Sequence, residues 1–187
     1  MDRANSMPLD KKELKILLDG LNKQTGIHSM LNLVLCTGMS LEDCLSIHLS
    51  TIDYSNNKLI VFDSYLKRPR NIKLPSRVME LISLHQNGHN APEKRLYEIT
   101  QPTADNRLYE LSKQRLDKGV TWSAIRRSWA LLAFEKNIRF KDMVESSGAS
   151  PEQLAKWSLY KHENDGTEGG LDLLVDIYNQ STFMNKG

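Results

Sequence analysis

Two groups of basic side chains are the residues of this sequence best suited to chemistry. The first is a stretch from Tyr65 to Lys73 that holds four cations and no acid: Lys67, Arg68, Arg70 and Lys73. The second is the adjacent pair Arg126 and Arg127. Both side-chain types bind phosphate oxygens, and the arginine fork can hold two oxygens at once. The two groups therefore indicate contact with a phosphate-bearing partner, although a basic run of this kind is also typical of a solvated hairpin.

A predicted helix positions the arginine pair. Thr121 is a typical N-cap residue. The apolar residues behind it recur at helical spacing: Ile125, Trp129, Leu132 and Ala133. Arg126 and Arg127 are thus expected in the second turn of an amphipathic helix that stops at Asn137.

Two shorter helices are predicted after this one. The first carries Phe140 and Met143 on one face and ends at Gly148, a typical C-terminal glycine. Ser150 and Pro151 open the second helix as its N-cap and its first helical residue. The whole stretch is therefore expected to be three helices joined by tight turns.

The segment from Thr121 to Tyr160 resembles the C-terminal half of a tyrosine recombinase (phage integrase) catalytic domain. That family reads T-x-H-x-L-R-x-T-x-A, then a small-residue turn, then L-G-H-S-x-x-x-T-x-x-x-Y. Arg126 falls on the second catalytic arginine of the family. The other catalytic positions are replaced, because Ser123 stands for the motif histidine, Ala149 for the second His or Trp, and Ser158 for the nucleophilic tyrosine. Tyr160 lies two residues after that last position.

An earlier block strengthens the resemblance. The run T-G-M-S-L-E-D-C-L-S-I-H-L-S-T-I-D is similar to the family's T-G-L-R-x-S-E-L-x-x-L-x-W-x-D-I-D. Ser40 falls on the first catalytic arginine, and a serine has neither the charge nor the fork that an arginine offers to phosphate. Ser40 with Asp43 three residues later also forms a capping box, so we interpret Ser40 as a helix N-cap.

The fold class that these patterns predict is mainly α-helical with one small three-stranded antiparallel sheet, like a tyrosine recombinase catalytic domain. Three short strands are expected at Ile52 to Tyr54, Lys58 to Asp63 and Arg70 to Leu74, with turns at Asn56-Asn57 and at Lys67-Arg68-Pro69. The family carries a catalytic lysine in its second hairpin. Lys67 and Arg68 are the two candidates for that position.

Further helices are predicted around this sheet, at Leu9 to Lys23, Ile27 to Cys36, Pro75 to Gln86 and Thr103 to Lys118. The centre of the core is predicted to hold Leu31, Val34, Leu35, Leu45, Ile125, Trp129 and Leu132. Residues 1–160 form one integrase-like domain in this prediction, and residues 161–187 a linker and a tail helix. The tail helix would present Leu171, Leu174, Val175 and Tyr178 on one face, either to a partner or second subunit or to its own domain.

The composition limits the kinds of partner that the protein can bind. The chain has 187 residues, of which 40% are hydrophobic, enough for one domain with a core. Its 25 Lys and Arg against 23 Asp and Glu leave a net charge of +2, so a nucleic acid must be met by a local basic patch. No apolar run reaches the roughly 18 residues of a membrane span, and a cytoplasmic protein without membrane contact is expected.

No metal or cofactor is predicted. Cys36 and Cys44 lack the spacing of a metal or redox site, so we expect buried, reduced thiols. His85 and His89 have no third ligand of Cys, His or Asp type near them in the sequence, which favours surface histidines.

Strand cleavage in the resembled family needs a tyrosine nucleophile, arginines on the phosphate and a general acid. With four of those positions changed, the sequence predicts a catalytically degenerate, integrase-like protein that is regulatory or accessory to recombination of phage or mobile-element DNA. Duplex DNA would be bound through phosphate contacts. The residues predicted to make these contacts are Lys67, Arg68, Arg70, Lys73, Arg126 and Arg127.

Three alternatives remain open. The chain could be a protein-interaction module that reuses the fold, or an active recombinase whose nucleophile is Tyr160. Arg126 could also be an exposed arginine paired with Glu145 or another surface acid.

Overall fold

The computed structural model of the protein describes residues 7–19, 26–63, 67–86 and 91–159. Tyr160, the linker and the tail predicted over residues 161–187 therefore lie outside the described residues, as does His89. The four tail positions predicted to face a partner, Leu171, Leu174, Val175 and Tyr178, also lie outside them.

The described chain is mainly helical with one three-stranded antiparallel sheet, as predicted. In chain order the helices and strands are α1 (Lys11–Leu18), α2 (Gly26–Thr37), α3 (Leu41–Leu45), β1 (Ile52–Asp53), β2 (Lys58–Asp63), β3 (Arg68–Lys73), α4 (Ser76–Gln86), α5 (Gln101–Leu116), α6 (Trp122–Glu135), α7 (Phe140–Ser147) and α8 (Pro151–Trp157). A short 3-10 turn at Leu49–Thr51 leads into β1.

Polar caps set the helix starts that matter for the site. Ser40 accepts a hydrogen bond from the Asp43 amide, and Asp43 accepts one from the Ser40 amide, so the predicted capping box of α3 is confirmed. Thr121 caps α6 by accepting from the Ala124 amide. Gly148 ends α7 in the left-handed conformation with φ of 64°, which a glycine adopts without strain.

The sheet has the order β1-β2-β3, and its hairpins are close to those predicted. Three boundaries were wrong: β1 ends at Asp53 rather than Tyr54, and β3 runs from Arg68 to Lys73 rather than from Arg70 to Leu74. Arg68 and Pro69 belong to the strand because β3 is an edge strand, where a proline's missing N–H is tolerated. Successive residues of β2 point alternately to solvent and to the core, so the outer face of the sheet is exposed.

Helix α2 is the centre of the core. Ten of its twelve residues are buried, since it packs against α6, α4, α3, α5 and α7. The core residues predicted from the sequence are all buried: Leu31, Val34, Leu35, Leu45, Ile125, Trp129 and Leu132. Helix α6 packs directly on α2 and thereby fixes the position of Arg126.

Both cysteines are buried and free, as expected. Burial raises the pKa of the Cys36 thiol to about 12. The pKa of the Cys44 thiol is also raised, mainly by burial and to a smaller extent by the Asp43 carboxylate. Neither thiol is therefore reactive at neutral pH. Among the described residues, no helix combines the length and the apolar character that a membrane span requires.

Gly38→Ala is predicted to destabilise the fold by about 2 to 5 kcal/mol. Gly38 has a φ of 71°, and a Cβ at this position would overlap the indole ring of Trp129 at the centre of the core. Thermal unfolding of the variant measures the effect, and Ser83→Ala on the exposed face of α4 is the control. An unchanged melting temperature in Gly38→Ala would show that the turn after α2 is not packed in this way.

Candidate functional site

Arg126 joins three segments of the chain. Its Nε donates to the Gly38 carbonyl at 2.8 Å, and its Nη2 lies 3.5 Å from the Ser147 carbonyl. Its guanidinium carbon lies 5.0 Å from the centroid of the Trp157 ring, in cation–π contact. The side chain thus connects the turn after α2 with the end of α7 and the end of α8.

Burial sets the electrostatic state of Arg126. Burial is the main cause that lowers the pKa of the guanidinium to about 10. The Arg70 cation also lowers this pKa, and the Asp43 carboxylate raises it. At neutral pH the side chain is still protonated. Arg126 is therefore a partly desolvated cation, and an anion placed against it would offset the electrostatic penalty of its burial.

Arg70 lies inside the protein, although the sequence placed it with the exposed cations. Only 5% of the residue is exposed. Its Nη1 donates to the Ser146 carbonyl at 2.8 Å, and its Nη2 donates to Asp43 Oδ2 at 2.9 Å. Its Nε lies 3.0 Å from Asp63 Oδ2, an ion pair without the alignment of a hydrogen bond. Arg70 is thus held by two carboxylates and a helix end, and it is not available to a DNA phosphate in this arrangement.

The C-terminal end of α7 receives both arginines. The last carbonyls of a helix have no partner within it, and the helix dipole favours cations there. Arg70 contacts the Ser146 carbonyl and Arg126 the Ser147 carbonyl, one residue later. Gly148 makes the approach possible, because a Cβ at this position would lie 2.8 Å from the guanidinium carbon of Arg70.

The four positions predicted from the resemblance to replace catalytic residues are close in sequence to Arg126 or to its contacts. Each lies within three residues of Arg126 or of a group that contacts it: Ser40, Ser123, Ala149 and Ser158. Ser123 is exposed one helical turn before Arg126, and Ala149 is buried. The alignment by motif therefore places these residues in one region of the fold.

None of these four side chains carries charge, and two of them, those of Ser40 and Ser158, make hydrogen bonds within the local structure. Ser40 caps α3, while the Ser158 hydroxyl donates to the Ala155 carbonyl at 2.7 Å. The Ala149 amide donates to the Ser147 hydroxyl at 3.1 Å. Tyr160, the displaced candidate nucleophile, lies outside the described residues.

The alternative in which Arg126 is an exposed partner of Glu145 is wrong. Arg126 contacts backbone carbonyls and an aromatic ring. The Glu145 carboxylate instead lies 3.9 Å from the Lys141 ammonium, and the Glu145 carbonyl lies 3.4 Å from Nη1 of Arg70.

Three more of the predicted cations lie at the two ends of β3. Lys67 and Arg68 are exposed at the β2–β3 hairpin, and Arg68 is only about 7 Å along the strand from Arg70. Lys73 is exposed at the opposite end of β3, about 17 Å from Arg68 along the strand, and its cross-strand neighbour is Lys58. Lys67 and Arg68 are therefore exposed at one end of β3, and Lys73 is exposed at the other end.

Arg127 follows Arg126 on α6 and is half-buried. Successive residues of a helix point about 100° apart, so Arg127 does not share the face of Arg126. Of the six cations predicted to contact DNA, Lys67, Arg68 and Lys73 are exposed, Arg126 and Arg127 are half-buried, and Arg70 is buried.

Sequence reasoning missed the acid that anchors Arg70. Asp63 is 3% exposed and stands at the end of the inward-facing series of β2, after Leu59 and Val61. Arg70 stands at the start of the inward-facing series of β3, before Ile72. The period-2 alternation was the available signal, because it places one acid and one base on the core side of neighbouring strands.

Two histidines in the described ranges have partners elsewhere in the fold. His48 contacts the Glu93 carbonyl at 2.9 Å, and His85 stacks on Tyr97 with ring centroids 5.1 Å apart. Within the described ranges, no group of three or more His, Cys, Asp or Glu side chains could hold a metal ion.

Solved structures with the same fold are site-specific recombinases and integrases. XerA recombinase matches with a TM-score of 0.68 and 17% identity, over 93% of this chain and 65% of that chain. A lambda integrase (75-356) dimer bound to a COC' core site matches with a TM-score of 0.65 and 15% identity, over 87% of this chain and 62% of that chain. The Tn1549 transposon integrase in complex with transposon right end DNA matches with a TM-score of 0.65 and 13% identity, over 86% of this chain and 64% of that chain.

The chain has the fold of a tyrosine recombinase catalytic domain. It spans about two thirds or less of the length of these solved proteins. No protein-family model matches the sequence, and no curated protein matches it significantly.

Arg70→Met is predicted to lower the free energy of unfolding by about 3 to 5 kcal/mol, because it leaves the buried Asp63 and the largely buried Asp43 without their cation. Chemical denaturation measures the loss. Arg68→Met removes an exposed cation from the same strand and is expected to change stability by no more than about 0.5 kcal/mol. Equal stabilities of the two variants would contradict the buried ion-pair arrangement.

Proposed function

We propose that the protein is a DNA-binding protein with a tyrosine-recombinase fold that has lost strand-cleavage chemistry. In this proposal it is an accessory or regulatory factor in the recombination of phage or mobile-element DNA. The observations that support it best are three: Arg126 is a half-buried cation, Lys67 and Arg68 are exposed at the start of β3, and the positions that resemble the other catalytic ones hold serine and alanine.

Phosphate contacts are enough for such binding. The net charge of +2 gives a weak overall field, so affinity must come from cations that act together at one place. Lys67 and Arg68 provide flexible, exposed charges, and Arg126 provides a fixed one. Two of the structures with this fold, the lambda integrase dimer and the Tn1549 integrase, were solved with DNA bound, which supports DNA as the partner.

Catalysis is not supported by the same residues. Removing one preorganised charge partner slows comparable reactions by about 10²–10³-fold. Here Ser40 takes the place of an arginine, and Ser123 and Ala149 take the places of acid-base groups. None of these side chains can neutralise a phosphate or protonate a leaving oxygen at neutral pH.

A second candidate is a protein-interaction module. The outer face of the sheet exposes Ile60 and Phe62, which are 43% and 58% accessible. Apolar side chains at neighbouring outward positions of a strand are a possible contact surface for a protein partner. Loss of a partner on replacement of these two residues, without any DNA affinity in the wild type, would favour this candidate.

Lys67→Ala with Arg68→Ala is predicted to weaken binding to duplex DNA and to reduce the magnitude of its salt slope by about 1.8, since each phosphate contact contributes about 0.9. Fluorescence anisotropy with a labelled duplex over a series of salt concentrations measures both quantities. Lys58→Ala with Lys73→Ala is the matched control, because it removes two cations from the same hairpin at its opposite end. The control should keep the wild-type salt slope.

Equal losses in the two double variants would mean that net charge alone governs binding. A wild-type protein without DNA affinity at about 50 mM salt would reject the proposal, because electrostatic binding is strongest at low salt.

No covalent protein–DNA adduct is predicted on nicked or suicide duplex substrates. The substitutions at Ser40, Ser123, Ala149 and Ser158 remove the groups that cleavage needs. Denaturing gels followed by mass spectrometry of any adduct test this outcome, with Tyr160→Phe as the control. An adduct that disappears in Tyr160→Phe would establish an active recombinase instead.

A further inference from the structure

We propose that Arg70 is a positioning residue that holds the Asp43 carboxylate away from Arg126 and so keeps Arg126 available to a DNA phosphate. The inference rests on the proposed function, because it concerns how the same site keeps its charge. It gives β3 a role in the site through Arg70, which is buried.

The charges of the site explain why such a residue is needed. The cluster holds two cations, Arg70 and Arg126, and two carboxylates, Asp43 and Asp63. Both carboxylates are paired with Arg70 at 2.9 and 3.0 Å. Among the described residues, no carboxylate lies within ion-pair distance of Arg126. Arg126 therefore keeps its charge free of a fixed counterion.

Asp43 is the group that could cancel that charge. Its carboxylate raises the pKa of the Arg126 guanidinium, against the larger lowering effect of burial. Only 16% of the Asp43 side chain is exposed, so water screens it poorly. Without Arg70, this carboxylate would have Arg126 as its remaining arginine partner in the cluster, and a phosphate would have to compete with it.

Geometry gives Arg70 a second effect on Arg126. The two arginines contact the consecutive carbonyls of Ser146 and Ser147. By holding the end of α7 against β3, Arg70 fixes one of the two carbonyls that orient Arg126. The charge effect and the orientation effect can be separated, because only the first depends on the Asp43 carboxylate.

Asp43→Asn is the substitution that separates them. Asparagine has nearly the same shape and keeps an oxygen that can accept from the Ser40 amide, so the capping box of α3 is preserved. Arg70→Met with Asp63→Asn removes the positioning arginine and neutralises its most buried acid, but leaves the Asp43 carboxylate charged. Adding Asp43→Asn to that pair changes only the carboxylate in question.

The experiment measures dissociation constants for a labelled duplex at about 0.1 M salt in four proteins: wild type, Asp43→Asn, Arg70→Met/Asp63→Asn, and the triple variant. Arg70→Met/Asp63→Asn is expected to bind about eightfold more weakly, the contribution of one phosphate contact at this salt concentration. The triple variant is expected to recover most of that affinity. Asp43→Asn in the wild-type background should have a much smaller effect, because Arg70 already holds the carboxylate.

A purely structural role for Arg70 predicts a different pattern, in which Asp43→Asn changes affinity equally with and without Arg70. That result would overturn the inference, as would wild-type affinity in a folded Arg70→Met/Asp63→Asn. If circular dichroism shows that this variant is unfolded, the same comparison is made between Arg70→Lys and Arg70→Lys/Asp43→Asn. Asp43→Asn is again expected to raise the affinity for DNA. Unchanged affinity would overturn the inference. If the wild type binds no DNA, the proposed function and this inference both fall. If it binds but adding Asp43→Asn to Arg70→Met/Asp63→Asn restores no affinity, only this inference falls.

Discussion

The C-terminal end of α7 is the feature on which the rest of the site depends. Its last carbonyls need partners, and two arginines from distant parts of the chain provide them: Arg70 for Ser146 and Arg126 for Ser147. These contacts connect the sheet and α6 to one turn of the backbone. A small residue must follow the helix at that point, and Gly148 leaves the space for the Arg70 guanidinium.

The positions that resemble catalytic ones serve local structure in this chain. Ser40 caps α3 in a capping box with Asp43. Ala149 is buried and donates its amide to the Ser147 hydroxyl. In the proposed function these residues stand in place of catalytic groups, and helix ends and core packing remain satisfied with them.

Much of the fold could be predicted from the sequence because its signals are local. The capping residues Ser40, Thr121 and Ser150 mark helix starts within a few positions, and the burial of Trp129 follows from helical periodicity. Most of the environment of Arg70 could not be read in this way, although strand alternation pairs it with Asp63 on the core side of the sheet. Its other partners, Asp43 and Ser146, are 27 and 76 residues away in the chain, so a run of four cations looked like a uniformly exposed patch.

The most direct test of the central claim, that Arg126 is the fixed phosphate ligand of a DNA-binding site, is an NMR titration of the arginine Nε–H groups with duplex DNA. The Nε–H of Arg126 donates to the Gly38 carbonyl at 2.8 Å, which protects it from exchange with water. The account predicts a salt-reversible shift of the Arg126 signal, while that of Arg107 on α5 stays in place. Saturation with DNA without any change at Arg126 would contradict it.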